Sequence, residues 1–393
     1  MAIAEKIRAS MERASWIRKM FEEGARLKAE RGEEKVFDFS LGNPCVEPPA
    51  RYLEALEQCL REPRQGKYGY MPNAGHHKTR EAIAAEIRSK RRVAIEGRHV
   101  VMTCGAAGGL NIVLKTVLDP GDEVLILSPF FPEYLFYVDN HGGRPRIVPT
   151  RNDFALDLGA IESALTDRTR AILVNSPNNP TGRMYDLASL RSLGGILDKC
   201  REKTGRQVFL VSDEPYAEIL FDSRRLPDLF GCYRDTIIVS SFSKSLSIPG
   251  ERLGYVAVNP ALEGADVLVN GLTFCNRILG FVNAPATAQN AVSRALGTYV
   301  QAAEYQRRRD LLCQGLREIG YKFQLPDGAF YLFPQSPVAD EIPFVQALME
   351  QGVLVVPGSG FGAPGYFRIA FCVGAAVLRN ALPGFAAALK RFG

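Results

Sequence analysis

The alternation of short, unbroken apolar runs with helical segments constrains this chain more than any other feature. Seven such runs fill the middle of the sequence, at 99–102, 123–127, 146–148, 171–174, 208–211, 236–239 and 255–258. A strand buried on both faces reads as a continuous apolar run, so these predict a mostly parallel sheet. Helical segments fit between several of them, for example 106–118 and 187–203, which predicts an α/β layer architecture. Ligands of such sheets bind beyond the carboxyl ends of the strands. The residues just past each run are therefore the ones to read for chemistry.

The flanks differ in texture. Residues 5–31 are rich in Glu, Lys, Arg and Ala, with Ile17, Met20, Phe21 and Ala25 at helical spacing. Val36-Phe37-Asp38-Phe39-Ser40 predicts a short strand entering the turn Gly42-Asn43-Pro44. After Pro285 a long helical stretch, 286–319, leads to further short apolar runs at 321–323, 329–333, 353–356 and 367–371. They predict a smaller α+β domain.

Composition removes several function classes. At 393 residues, 46% hydrophobic and 23% charged, the chain has the make-up of a soluble globular protein with more than one core. No apolar run reaches the length of a membrane span, and the N-terminus lacks the apolar core of a signal peptide, so a cytoplasmic protein without membrane contact is expected. The net charge of +5 is dispersed, with no basic stripe, so no nucleic-acid partner is expected. Eight cysteines never approach a C-x-x-C spacing, and four histidines supply no cluster. Reduced thiols and no metal are expected.

The strand ends carry the chemistry. After the first run, Gly105-Ala106-Ala107-Gly108-Gly109 would expose backbone N–H groups at a helix start, either a tight turn or a phosphate cradle. Ser128-Pro129-Phe130-Phe131-Pro132-Glu133-Tyr134 offers aromatics for a core or for stacking on a flat ring. Asn175-Ser176-Pro177-Asn178-Asn179 has more amides than a turn requires. Asp213 and Tyr216 put a carboxylate and a phenol past the next run. Ser241-Phe242-Ser243-Lys244 and Arg252 place a lysine among serines and a guanidinium eight residues on. An amine near other cations has a lowered pKa and attacks carbonyls, and a guanidinium holds phosphate as a fork. Together these groups describe pyridoxal phosphate: a flat ring with a nitrogen, a phenolic oxygen, an aldehyde and a phosphate.

With these residues in order, the chain resembles the class I/II pyridoxal-phosphate-dependent aminotransferases, the fold-type I family related to aspartate aminotransferase. Ser241-Phe242-Ser243-Lys244, Pro249-Gly250-Glu251-Arg252-Leu253-Gly254 and Asn179-Pro180-Thr181-Gly182 carry the resemblance most specifically. It implies a three-layer, mostly parallel seven-stranded sheet in a large cofactor domain (51–285), with a smaller α+β domain formed by both chain ends (1–50 and 286–393). It implies that Lys244 forms the Schiff base and moves the Cα proton, and that Asp213 pairs with the ring nitrogen. Tyr216 and Asn179 would bond the phenolic oxygen, and Phe131 would stack on the ring. Gly105, Ala106, Ala107, Ser241, Ser243 and Arg252 would hold the phosphate.

Arg368 and Gly42 would hold the substrate α-carboxylate, with Asn179 beside it. Tyr70, with Tyr68 two residues away, would reach the phosphate of a neighbouring subunit, implying a homodimer with shared sites. Arg277 is either an interface arginine or the reader of a distal carboxylate, as on aspartate or glutamate. The resemblance implies ping-pong transamination between an amino acid and a 2-oxo acid. C–S β-lyases and cyclopropane-forming synthases share the scaffold and the first steps, and a cofactor-binding regulator would need a DNA-binding module that the N-terminal segment is too short to supply.

Overall fold

A computed structural model describes residues 2–13, 16–63 and 65–392. The seven runs become one seven-stranded sheet. Its strands are β1 (Val100–Thr103), β2 (Glu123–Ser128), β3 (Arg144–Pro149), β4 (Thr169–Asn175), β5 (Phe209–Asp213), β6 (Thr236–Ser241) and β7 (Gly254–Val258). The order across the sheet is β1-β7-β6-β5-β4-β2-β3. All pairings are parallel except those of β7, which runs against β1 on one side and β6 on the other.

Side chains alternate between the faces. Val124, Ile126, Leu173 and Val211 join a core with Leu110 and Val113 of helix Gly105–Val117 and Leu272 of helix Ala265–Ile278. Leu125, Leu127, Ile172 and Leu210 join Leu190 and Leu193 of helix Leu187–Thr204. Helices on both faces make three layers, with the strands buried as their sequences require. Local signals set the helix ends: the Asp186 carboxylate accepts from the Ser189 N–H at 2.9 Å at one end of Leu187–Thr204, and Gly205 stops the other at φ 66°.

β3 departs from the buried strand expected at 146–148. It is the sheet edge, with Ile147 51% exposed. Its prolines lack a ladder N–H and its arginines stay in water, which suits an edge.

Both chain ends meet in a second body. Phe37–Asp38 pairs in parallel with Val353–Leu354, and Val356–Pro357, Phe367–Ala370 and Tyr331–Leu332 form an antiparallel sheet. Phe39 joins Phe330, Phe344, Phe367 and Phe385 in one aromatic core. Two expectations need correction. The stretch 286–319 is two helices, Ala286–Ala295 and Ala302–Ile319, because Gly297 takes φ 79° and the Val300 N–H bonds the Ser245 carbonyl. Residues 321–323 form no strand; Gly320 ends the helix left-handed and Tyr321 serves instead as a core ring bonded to the Phe385 carbonyl at 3.0 Å. The N-terminal stretch is helical as expected over Glu5–Arg13 and Trp16–Arg31, with residues 14 and 15 outside the described residues. Among the described residues no helix is long and apolar enough to cross a membrane, and no cluster of metal-ligating side chains occurs.

Candidate active site

β4, β5 and β6 end side by side at Asn175, Asp213 and Ser241. Beyond these ends lies a cavity of about 420 Å³, closed on the far side by Gly42, Tyr331 and Arg368 from the second body. Of the sequence-predicted site residues, all but Gly105, Tyr70 and Arg277 line it. Tyr70 is 94% exposed, and Arg277 is an exposed residue of helix Ala265–Ile278 with its guanidinium over the Phe274 ring. Neither belongs to the cavity of its own chain.

Lys244 follows the end of β6 in a one-turn helix, Phe242–Ser245, that the Ser241 hydroxyl caps by accepting from the Ser243 N–H at 3.0 Å. Its ammonium donates to the Gly42 carbonyl at 2.8 Å and lies over the Phe330 ring. Burial, helped by Arg252 and Arg368 and opposed by Cys372, lowers its pKa to about 8. The Asp213 carboxyl is the reverse case: burial, with Glu214 next in the chain, raises it to about 7 against the Tyr134 hydroxyl, which donates to Oδ2 at 2.5 Å. Asp213 Oδ1 is buried with no partner among the described residues. A buried acceptor without a donor is costly, so this oxygen is poised for a donor on a ligand.

The third element is a cup. Helix Gly105–Val117 points its first N–H groups into it. Gly254, the register partner of both Thr103 and Ser241, lets the strands close up behind: a Cβ there would lie 2.7 Å from the Gly105 carbonyl carbon. Arg252 is left-handed at φ 51°, a conformation costing an ordinary residue about 1–2 kcal/mol. A Cβ on Gly105 would come 3.0 Å from its Nη2, so guanidinium and helix start converge on one point. The Ser241 and Ser243 hydroxyls, 2.8 Å apart, complete the rim.

The fourth is a second guanidinium. Arg368 is buried, held between the Tyr331 and Phe361 rings at 4.7 Å from each. Its Nη1 donates to Asn179 Oδ1 at 3.0 Å and its Nη2 to the Ser40 carbonyl at 2.5 Å, while Nε has no partner among the described residues. The three asparagines divide the work. Asn175 accepts from the Asn179 N–H at 2.7 Å and Asn178 from the Thr181 N–H at 3.1 Å, building the turn that presents the Asn179 side chain to Arg368.

Sequence reading gave no site role to Glu133, Tyr134, Tyr137 and Tyr331, all of which line the cavity. Tyr134 and Glu133 sat in a stretch read only for its aromatics. Tyr331, whose hydroxyl lies 2.9 Å from that of Tyr216, sat in a run read only as a strand. Tyr134 precedes Asp213 by 79 positions, so no local pattern pairs them. A Cβ on Gly42 would fall 2.0 Å from the Tyr331 hydroxyl, so this turn must be glycine.

The family model described as aminotransferase class I and II matches residues 34–384. The chain belongs to this family. An aspartate/prephenate aminotransferase of Thermus thermophilus is 35% identical over 358 residues, 89% of this chain and 90% of that one. A probable aspartate aminotransferase of Methanocaldococcus jannaschii is 32% identical, covering 85% and 88%. Among solved structures, an aminotransferase of Eubacterium rectale superposes with a TM-score of 0.96 at 34% identity over all of both chains. The Thermus thermophilus aspartate aminotransferase with maleate superposes at 0.87 with 29% identity, covering 99% and 100%. Class I and II aminotransferases use pyridoxal phosphate. The residues of this chain fit that group: the partnerless Asp213 Oδ1 suits a protonated ring nitrogen, the cup suits a phosphate, and the weakly basic Lys244 suits an aldehyde.

Proposed function

We infer that this aminotransferase moves the α-amino group of an amino acid to a 2-oxo acid by a ping-pong route through pyridoxal phosphate held in the 420 Å³ cavity. The observation that carries the reading is the convergence, at adjoining strand ends, of a lysine with a pKa of about 8 and a buried carboxylate, Asp213, whose Oδ1 has no donor among the described residues. When bound, pyridoxal phosphate supplies an electron sink conjugated to the substrate Cα. The residues do the rest. Arg252, the start of helix Gly105–Val117, Ser241 and Ser243 hold the phosphate, Phe131 covers the ring, and Tyr216 and Asn179 bond its phenolic oxygen. Asp213, fixed by Tyr134, keeps the ring nitrogen protonated. Arg368 seats the α-carboxylate, with Gly42 at close approach, and Lys244, once free, removes the Cα proton and returns it one position along.

The reading extends to a cytoplasmic homodimer with shared sites, in which Tyr70 reaches the partner's phosphate, and to separate bodies dividing near residues 50 and 285. Names given to relatives support a dicarboxylic substrate for one half-reaction, with Arg277 entering the partner's cavity. They also favour transamination over β-elimination.

The test is an absorbance spectrum of the purified, cofactor-loaded protein before and after single amino acids are added without an oxo acid. Loss of the visible band with one oxo acid released per site is expected. A band that recovers while pyruvate and ammonia accumulate would instead show elimination. No visible band at all would overturn the role of Lys244.

A further inference from the structure

Once those roles are assigned, one charged group of the cavity is left over. Lys244, Arg252 and Arg368 are the cations lining it; one meets an aldehyde, one a phosphate and one an α-carboxylate. Of the carboxylates, Asp213 takes the ring nitrogen. Glu133 remains.

Glu133 opens helix Glu133–Asn140, two residues after Phe131 and directly before Tyr134. Its Oε2 is buried and has no hydrogen-bond partner among the described residues. Arg368 and the ring of Tyr331 lie close enough to interact with its charge, and so does Tyr137. Yet Arg368 is already bonded to Asn179 and to the Ser40 carbonyl, and its open face awaits a carboxylate. Burial pushes the Glu133 carboxyl up, while its backbone N–H and Arg368 pull it down. A buried carboxylate oxygen without a donor, as Oε2 is, is costly by itself. In a substrate cavity, the missing donor is best supplied by the substrate.

We propose that Glu133 reads the substrate side chain and selects, for one of the two half-reactions, an amino acid whose side chain ends in an ammonium or guanidinium group. The proposal rests on the transaminase reading above. The side chain branches from the carbon that bears the α-carboxylate, so with that carboxylate on Arg368 the side chain starts within reach of Glu133. A terminal cation there forms a charge-assisted hydrogen bond with the lone carboxylate. A distal carboxylate there meets a like charge. Ping-pong enzymes pass two substrates through one cavity, so a dicarboxylic substrate and a basic one can share it, and Glu133 sets the balance between them.

The experiment compares wild type with Glu133→Gln, both loaded with pyridoxal phosphate, in single-turnover reactions with lysine, ornithine, arginine, glutamate, aspartate and norleucine. The substitution is expected to lower kcat/KM for the three basic amino acids by about tenfold or more. It should raise kcat/KM for the two acidic ones and leave norleucine nearly unchanged. Glu133→Asp, which keeps the charge, should retain part of the basic preference.

Binding is read separately by calorimetry with unreactive acids. Wild type should hold 5-guanidinopentanoate, whose guanidinium has N–H donors, more tightly than glutarate, and Glu133→Gln should lose that order. An equal change for all classes, or a wild type that binds glutarate better with the same order in the variant, would overturn the proposal. A wild type that converts no amino acid while keeping the calorimetric order would overturn the transaminase reading and leave the reading of Glu133 standing.

Discussion

Lys244 and Asp213 titrate in opposite senses, and each leaves a distinct trace. The lysine is held at about 8, well under the ordinary lysine value of 10.5, because burial penalises its charge. Between those values the unfolded chain carries the proton and the native protein does not, so this residue makes stability rise with pH there. Capture of pyridoxal phosphate by the cofactor-free protein should accordingly speed up as pH rises to about 8 and then level off, followed by stopped-flow absorbance. A rate still climbing near 10 would contradict the buried amine. Lys244→Ala should keep a non-covalent cofactor and lose turnover by about a thousandfold or more.

Asp213 is raised from 3.8 to about 7, so the native state holds the extra proton and stability falls with pH across that window. In the cofactor-free protein, Asp213→Asn should flatten this fall in thermal midpoint. An unchanged slope would mean that another group causes it. Tyr134→Phe removes the hydrogen bond that, among the described residues, alone steadies this carboxylate and should weaken pyridoxal phosphate binding by about tenfold, measured by fluorescence titration.

At the scale of elements, β7 is the decisive strand. Six strands run the same way and could each send a loop to the carboxyl edge, but a strand running the other way begins there. That is how Arg252, two residues before Gly254, arrives beside Lys244 without a crossover helix. Gly254 itself permits the approach, since a Cβ would come within 2.5 Å of the Ser240 carbonyl and 3.0 Å of the Ala106 nitrogen, both backbone. Gly254→Ala should therefore cost about 2–4 kcal/mol of stability, seen as a lowered thermal midpoint, and loosen the phosphate cup. A variant with unchanged midpoint and cofactor affinity would contradict the tight closure.

The strands themselves were legible, because full burial leaves an unbroken apolar run. β3 was misread as buried since its three central residues look like a core run, while its flanking Arg144, Pro145 and Pro149 mark an edge. Tyr321 was misread as a strand because a β-prone aromatic looks the same when it plugs a core.

At the scale of the molecule, the site residues near a strand end were readable because each sits in a local motif. Tyr134, Tyr331 and Glu133 were not, since what makes them matter is a contact with residues far along the chain. The reading of Tyr70 belongs to this scale too. It is 94% exposed and lies outside the active-site cavity of its own chain. If it serves a neighbour, then mixing subunits carrying Tyr70→Ala with subunits carrying Lys244→Ala should restore some activity: hybrids retain one site whose lysine and tyrosine are both intact. Sedimentation should give twice 43.3 kDa. A monomer, or no restoration in confirmed hybrids, would rule out shared sites.

Ser241 and Gly254 are register partners, so the segment between them is a closed span whose ends the sheet pins. Both Lys244 and Arg252 hang from it. Its length is thus a ruler set between an aldehyde and a phosphate. One residue inserted between Ser245 and Pro249 would leave the ends pinned by the sheet, yet shift Leu246 and Ile248 in the core and put the two cations out of step. Such a protein would keep its sheet, lose some stability and emerge colourless.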